Sequence, residues 1–150
     1  MKLGSAAEAV ALVQSGQRVF IHGAAATPLR LLDALVARAD TLADVELIHL
    51  HTAGPAAYAD ARYAKSFRVA SLFVGENLRG RLDGARVDYL PCFLSEMPSL
   101  FRSGVRPVDV AFVQVSPPDA HGFSSLGTSV DTAKAGAAER MILGPLPCAD

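Results

Sequence analysis

Apolar positions along this chain fall into short runs separated by small, polar or charged residues, and the longest of them, "VDVAFVQV" (Val108 to Val115), is nearly unbroken. A continuous β-branched and aromatic run of that length suits a strand covered on both faces. "RVFIHG" (Arg18 to Gly23), "DVELIHLH" (from Asp44), "FRVASLFV" (from Phe67) and "VDYLP" (from Val87) are further strand-like runs. Between them lie helical stretches with punctuation. Ser5 is placed to cap a first helix running to about Gln14, with Gly16 as its stop. Thr27 and Pro28 read as the N-cap and first position of a second helix. "SEMPSLFRSG" reads as a short helix capped by Ser95 and closed by Gly104, and "VDTAKAGAAERM" as a last helical stretch.

Strands that alternate with helices predict an α/β protein with an open, mainly parallel sheet flanked by helices. Val19–Ile21, Val45–Leu50 and Val110–Val115 are expected in that sheet, with Leu31, Leu32 and Leu35 packing the second helix onto it. No internal repeat or linker marks a domain boundary. The tail "ILGPLPCAD" carries two prolines and a glycine where a further core strand is due, so the chain is expected to stop partway through a fold.

Composition narrows the partners. With 150 residues and 51% hydrophobic side chains the chain can bury one sizeable core. Fourteen basic against fifteen acidic residues, with no block of like charge, offer no footprint for nucleic acid or an anionic membrane surface. Cys92 and Cys148 form no close ligand pair, which points to a reducing compartment, the cytoplasm. The first twenty residues are too polar for an export signal or a membrane span.

Several stretches carry candidate chemistry, each with a plainer reading beside it. The turn "HGAAATP", with Gly23, Ala24, Ala25 and Thr27, is either an anion cradle of main-chain N–H groups or ordinary tight packing. It lacks the glycines of a dinucleotide or phosphate-loop fingerprint, which weakens a nicotinamide-binding reading. In "HLHTAG", His49 and His51 share a strand face and could start a metal site. No third ligand stands out, so a polar strand end with Thr52 and Gly54 facing a cleft is the commoner explanation. "GFSSLG" lacks the spacing of a serine-nucleophile elbow. Asp119 and His121 could act as orienter and base, although Asp beside Pro and Gly is more often turn chemistry. Glu96 sits at a predicted helix start, where a capping role suffices.

"HGAAATPLRLLDAL", "ELIHLHTAG", "FVGENLR", "VDYLPCFLSEMPSLFRSG" and "VDVAFVQVSPPDAHGFSSLGTSVD", in that order, resemble the N-terminal half of the acetyl-CoA hydrolase/transferase family, which includes acetate, butyrate and 4-hydroxybutyrate CoA-transferases. The resemblance implies a CoA-transferase (NagB/RpiA-like) fold with two similar domains, this chain being an incomplete first one. It implies that a glutamate takes the acyl group and then CoA as a glutamyl-CoA thioester. That glutamate and the glycine-rich CoA-binding segment belong to the second domain, so the catalytic residue lies beyond Asp150 and Glu96 does not inherit the role. The first domain is expected to contribute a substrate-binding wall: Gly23, Ala24, Ala25 and Thr27, then Thr52 and Gly54, then a loop with Ser116, Asp119 and His121. CoA is expected as a substrate rather than a permanently bound cofactor, with acyl-CoA and a short-chain carboxylate as partners, no metal, and a homo-oligomer in the full-length protein. The alternative is a non-catalytic, truncated remnant that binds a partner.

Overall fold

The computed structural model describes residues 5–130, 132–136 and 141–145. Its elements, in chain order, are α1 (Ala6–Val10), β1 (Arg18–Ile21), α2 (Leu29–Val36), β2 (Val45–His49), β3 (Phe67–Ser71), β4 (Val87–Tyr89), α3 (Met97–Arg102), β5 (Val110–Val115), α4 (Ala133–Gly136) and β6 (Met141–Pro145). The strands form one sheet in the order β4-β3-β2-β1-β5-β6, and every described pair is parallel. The three strands expected to share a sheet do so.

Alternation along each strand builds two cores. Val19, Ile21, Leu47, Val69 and Phe112 face one way and meet Val10 of α1 and Leu31, Leu32 and Leu35 of α2. Phe20, Ile48, Ala70, Ala111 and Val113 face the other way and meet Met97 and Phe101 of α3 and Ala133 and Ala135 of α4. All six residues of β5 are buried, as its apolar run requires. Each fully buried Leu or Phe contributes about 1.5–3 kcal/mol, so these clusters supply most of the drive to fold. The second core is close-fitting: the Phe20 and Phe101 rings meet edge to face at 5.5 Å, and a Cβ on Gly136 would lie 2.6 Å from the Phe20 ring.

Helix ends differ from the expectations. α1 starts at a full Ser5/Glu8 capping box but stops at Val10, short of Gln14, because buried Val13 and the left-handed Gly16 already turn the chain toward β1. α2 has Pro28, not Thr27, at its N-cap, with no side-chain cap bond. α3 begins one residue after Glu96, and neither Ser95 nor Glu96 supplies a side-chain cap there. Its first turn is stabilised by Pro98 near the start and by burial of Met97. β2 ends at His49, one residue early.

The largest correction concerns the tail. Met141–Pro145 is a strand, in parallel register with Ala111–Val115, where the prolines and glycine suggested the chain leaves the fold. Among the described strands β6 pairs only with β5, and a strand with one ladder to complete tolerates a proline at its last position. Cys148 lies outside the described residues.

Candidate functional site

In a parallel sheet the loops at the carboxyl ends of the strands gather on one edge, and the crevice opens where the winding reverses. Here that point lies between β1, which leads to β2 on one side, and β5 on the other. Just beyond β1 stands His22, fully buried. Its Nδ1 accepts the main-chain N–H of Gln114 at 3.3 Å, which leaves Nε2 to donate to the carbonyl of Ser129. His22 thus ties the end of β1 to β5 and to the start of the last helical stretch. Sequence reasoning passed over it as a strand end.

The Gly23 to Thr27 turn is fastened to the end of β2. Ala24 N–H donates to the His51 carbonyl at 2.9 Å, and Ala24 forms a lone parallel bridge with Thr52. A Cβ on Gly23 would stand 2.7 Å from that same carbonyl, so glycine is required here by close approach of two main chains. Ala24 takes a left-handed φ of 51°. The Thr27 hydroxyl donates to Ala24 O at 2.7 Å and accepts from Ala53 N–H at 2.9 Å. These two hydrogen bonds, one within its own turn and one to the loop after β2, explain why it caps no helix. Ala25 is exposed at the tip, and its N–H is not among the turn's own hydrogen bonds. The two readings of this turn therefore divide by residue: packing fixes Gly23, and the tip is open.

Beneath the β2 end lies a buried polar chain. Thr52 Oγ1 is 2.7 Å from the Tyr58 hydroxyl, which is 3.1 Å from His49 Nε2. Burial holds the imidazole of His49 down to about 4; the Leu50 main chain opposes this and His51 adds to it. Burial also pushes the Tyr58 phenol up to about 12, against its bond to Thr52 and the charge of Arg81. Asn77, from the segment after β3, reaches over with Nδ2 to Thr52 O and Gly54 O, both at 3.0 Å. A Cβ on Gly54 would come within 2.8 Å of the Leu29 side chain, and its φ is +84°. Tyr58 and Asn77 escaped the sequence reading, since both stand in polar, weakly patterned stretches away from the strands.

His49 and His51 do not combine as a metal pair. Nε2 of His49 is engaged by Tyr58, while the His51 ring packs edge-on against Phe73 at 5.6 Å. Among the described residues no three His, Cys, Asp or Glu side chains converge on a point that could hold a metal ion.

The loop after β5 is built differently. Ser116 Oγ accepts from Ser125 N–H at 2.9 Å, and Ser116 N–H donates to Ser125 O at 2.9 Å. Asp119 does not orient the His121 ring. Its carboxylate accepts the main-chain N–H groups of His121 and Phe123 at 2.8 and 2.9 Å, which is turn chemistry. His121 itself is exposed. Glu96 is exposed as well. Large apolar side chains follow the strand ends: Phe73 after β3, Phe93 and Leu94 after β4, and Phe123 after β5 are all more than half exposed. No helix among the described residues is long and apolar enough to cross a membrane.

Comparison with known proteins gives this edge a context. Residues 1–143 match the model of the acetyl-CoA hydrolase/transferase N-terminal domain. A succinyl-CoA:acetate/propanoyl-CoA:succinate CoA transferase of Fasciola hepatica is 45% identical over 130 residues, which is 85% of this chain and 27% of that protein. A 4-hydroxybutyrate coenzyme A transferase of Clostridium kluyveri is 39% identical over 133 residues, 89% of this chain and 31% of that protein. Among solved structures, RipA from Yersinia pestis superposes with a TM-score of 0.85 at 28% identity, covering 95% of this chain and 36% of its own. A 4-hydroxybutyrate CoA-transferase from Porphyromonas gingivalis gives 0.71 at 30% identity, covering 93% and 31%. The chain thus spans less than a third of the curated relatives it matches. On its sequence, its strand order and its length of match, it belongs to the acetyl-CoA hydrolase/transferase family, through that family's N-terminal domain.

Proposed function

We propose that this chain forms the first-domain wall of a CoA-transferase that moves CoA between an acyl-CoA and a short-chain carboxylate such as acetate, with acetyl-CoA hydrolysis as the same chemistry ending on water. A glutamate outside residues 1–150 attacks the thioester carbonyl and expels the CoA thiolate, leaving an acyl-glutamyl anhydride. The thiolate returns to the glutamyl carbonyl and releases the acyl carboxylate, and the glutamyl-CoA thioester passes CoA to the acceptor carboxylate. CoA is a substrate in this scheme, and the completed protein is read as a cytoplasmic homo-oligomer.

The observation that carries the reading is the locked edge where the Gly23–Thr27 turn meets Thr52 and Gly54. Small residues, and an exposed Ala25 whose N–H is not among the turn's own hydrogen bonds, support the approach of a carboxylate or thioester oxygen to the main chain, and the bonds of Thr27 hold that surface in place before substrate arrives. Ser116, Asp119 and His121 border the same edge from the loop after β5. Positioning without the covalent nucleophile supplies little of the rate, so the isolated chain is expected to be inactive.

The test is acetyl-CoA turnover with acetate or succinate as acceptor, by the chain alone and by the chain extended with a relative's remaining segment. Activity should appear only in the extended protein, a difference of several orders of magnitude. Turnover by the chain alone that is abolished by Glu96→Ala would place the nucleophile here and overturn the proposal.

A further inference from the structure

His22 is fully buried at the end of β1, and main chain engages both of its ring nitrogens. The two partners leave no choice of tautomer. A main-chain N–H can only give a hydrogen and a carbonyl can only receive one, so Nδ1 accepts from Gln114 and Nε2 carries the hydrogen that goes to Ser129. The reversed tautomer would set a ring N–H against the Gln114 N–H and a bare nitrogen against the Ser129 oxygen, two unmade bonds in a site closed to water.

The places of these partners along the chain give the imidazole a further role. Gln114 belongs to β5 and stands just before the loop that holds Ser116, Asp119 and His121, whereas Ser129 follows that loop. One ring thus joins the incoming and outgoing stems. Inside that closure lies a second one, the pair of bonds between Ser116 and Ser125. Compact surface loops have ends that lie close together, and here a side chain from another strand closes the outer pair. The residue after His22 is Gly23, held against the His51 carbonyl by close approach of the two main chains. The stems of the loop and the start of the neighbouring turn therefore share one anchor. Phe20, two residues earlier on the same face of β1, packs against Phe101 and Gly136, so the strand carrying the anchor is itself held on that face.

We propose that His22 is a positioning residue: it closes the two stems of the loop after β5 onto the end of β1 and so sets where that loop stands relative to the Gly23–Thr27 turn. Calling these two surfaces walls of a substrate cleft rests on the function proposed above; the anchoring does not. His22 touches no substrate, because neither ring nitrogen is spare and the ring is out of reach of solvent. The body of the loop stays free to adjust between fixed ends.

NMR of the 15N-labelled chain at neutral pH reads the ring directly. Nδ1 of His22 should resonate as an unprotonated acceptor, and the hydrogen on Nε2 should exchange with water slowly enough to be seen, as that of an open imidazole is not. His22→Leu keeps a buried side chain and removes both bonds. In that variant the Gln114 amide should exchange about tenfold faster or more, and 15N relaxation should show added motion at Ser116 and Ser125. Ala24 and Ala53, whose N–H groups bind His51 and Thr27 across the β1 and β2 ends, should behave as in the parent. A wild-type His22 protonated on Nδ1, or with its Nε2–H lost to fast exchange, overturns the inference even if the variant does not fold. A folded His22→Leu chain with unchanged Ser116 and Ser125 overturns it too, and so does equal loosening at Ala24 and Ala53, the mark of a general loss of stability. No turnover is needed, so failure of CoA transfer in the extended protein would remove the proposed function and leave this result standing.

Discussion

Two polar regions follow buried strands in this molecule, and they are wired in opposite ways. The ends of β1 and β2 are held by bonds between distant segments: Ala24 to His51, Thr27 to Ala53 and Thr52 to Asn77. The loop after β5 bonds mainly to itself, Ser116 to Ser125 and Asp119 to His121 and Phe123. Both stretches are rich in Ser, Thr, Gly, Ala and His, so composition does not separate them. The difference is one of stability. A surface held by long-range bonds keeps its shape as long as the whole fold does, whereas a self-bonded loop can open locally at low cost. The rigid part of the candidate site is therefore at β1 and β2, and the loop is the part that can adjust.

Acid should expose the contrast most strongly. His49 is held at about 4 in the folded state against an ordinary 6.5, so the unfolded chain binds more protons between those values. Its contribution to stability is fully present above about pH 6.5, is lost as pH falls toward 4, and is constant below. The upper bound is about 3 kcal/mol at 1.36 kcal/mol per pH unit. Urea unfolding at pH 7 and pH 4.5 should show the loss, and His49→Gln should flatten it. Comparing the two chains separates His49 from Asp83, whose carboxyl the N–H groups of Val87, Ala85 and Arg86 hold below its usual range. An equal acid dependence in both would remove His49 as the cause.

Next in size is Gly23→Ala. The added methyl meets the His51 main chain at 2.7 Å, and backbone cannot swing aside as a side chain would, so a loss of about 1–3 kcal/mol in global stability is expected. A midpoint within error of the parent would mean that the β1 and β2 ends are less tightly joined than described. Smallest is Asp119→Ala, which deletes the one carboxylate oxygen that accepts two loop N–H groups. Global stability should change by less than about 1 kcal/mol, while amide exchange at His121 and Phe123 quickens. If Asp119→Ala lowered the midpoint as much as Gly23→Ala, the distinction between the two regions would fail.

The strands were legible in the sequence because each carries its apolar pattern locally; β5 is buried along its whole length as its composition says. The site was legible only in outline. Gly23, Thr27, Thr52 and Gly54 stand at strand ends that the alternation locates. Tyr58 and Asn77 serve Thr52 from 6 and 25 residues away, and nothing in their own neighbourhoods announces it. Thr27 has the chemistry of a helix cap, and the competing bond to Ala53, a tertiary partner, took it away. The tail misled for a similar reason: Gly and Pro argue against an inner strand, and whether Met141–Pro145 is inner or outer depends on the sheet and not on the segment.

The strand order also bears on how the chain is made. β1 lies in the middle of the sheet, with Val19 beside Leu47 on one flank and beside Val110 on the other. As the chain leaves the ribosome, β1 can join β2 early. Its second flank, an apolar strand with a row of unmatched N–H and C=O groups, waits for some ninety further residues before β5 arrives. Contacts so distant in sequence form slowly, and an open flank of this kind invites pairing with another nascent copy. The half-made protein is thus most at risk of aggregating at the strand that will end up best protected.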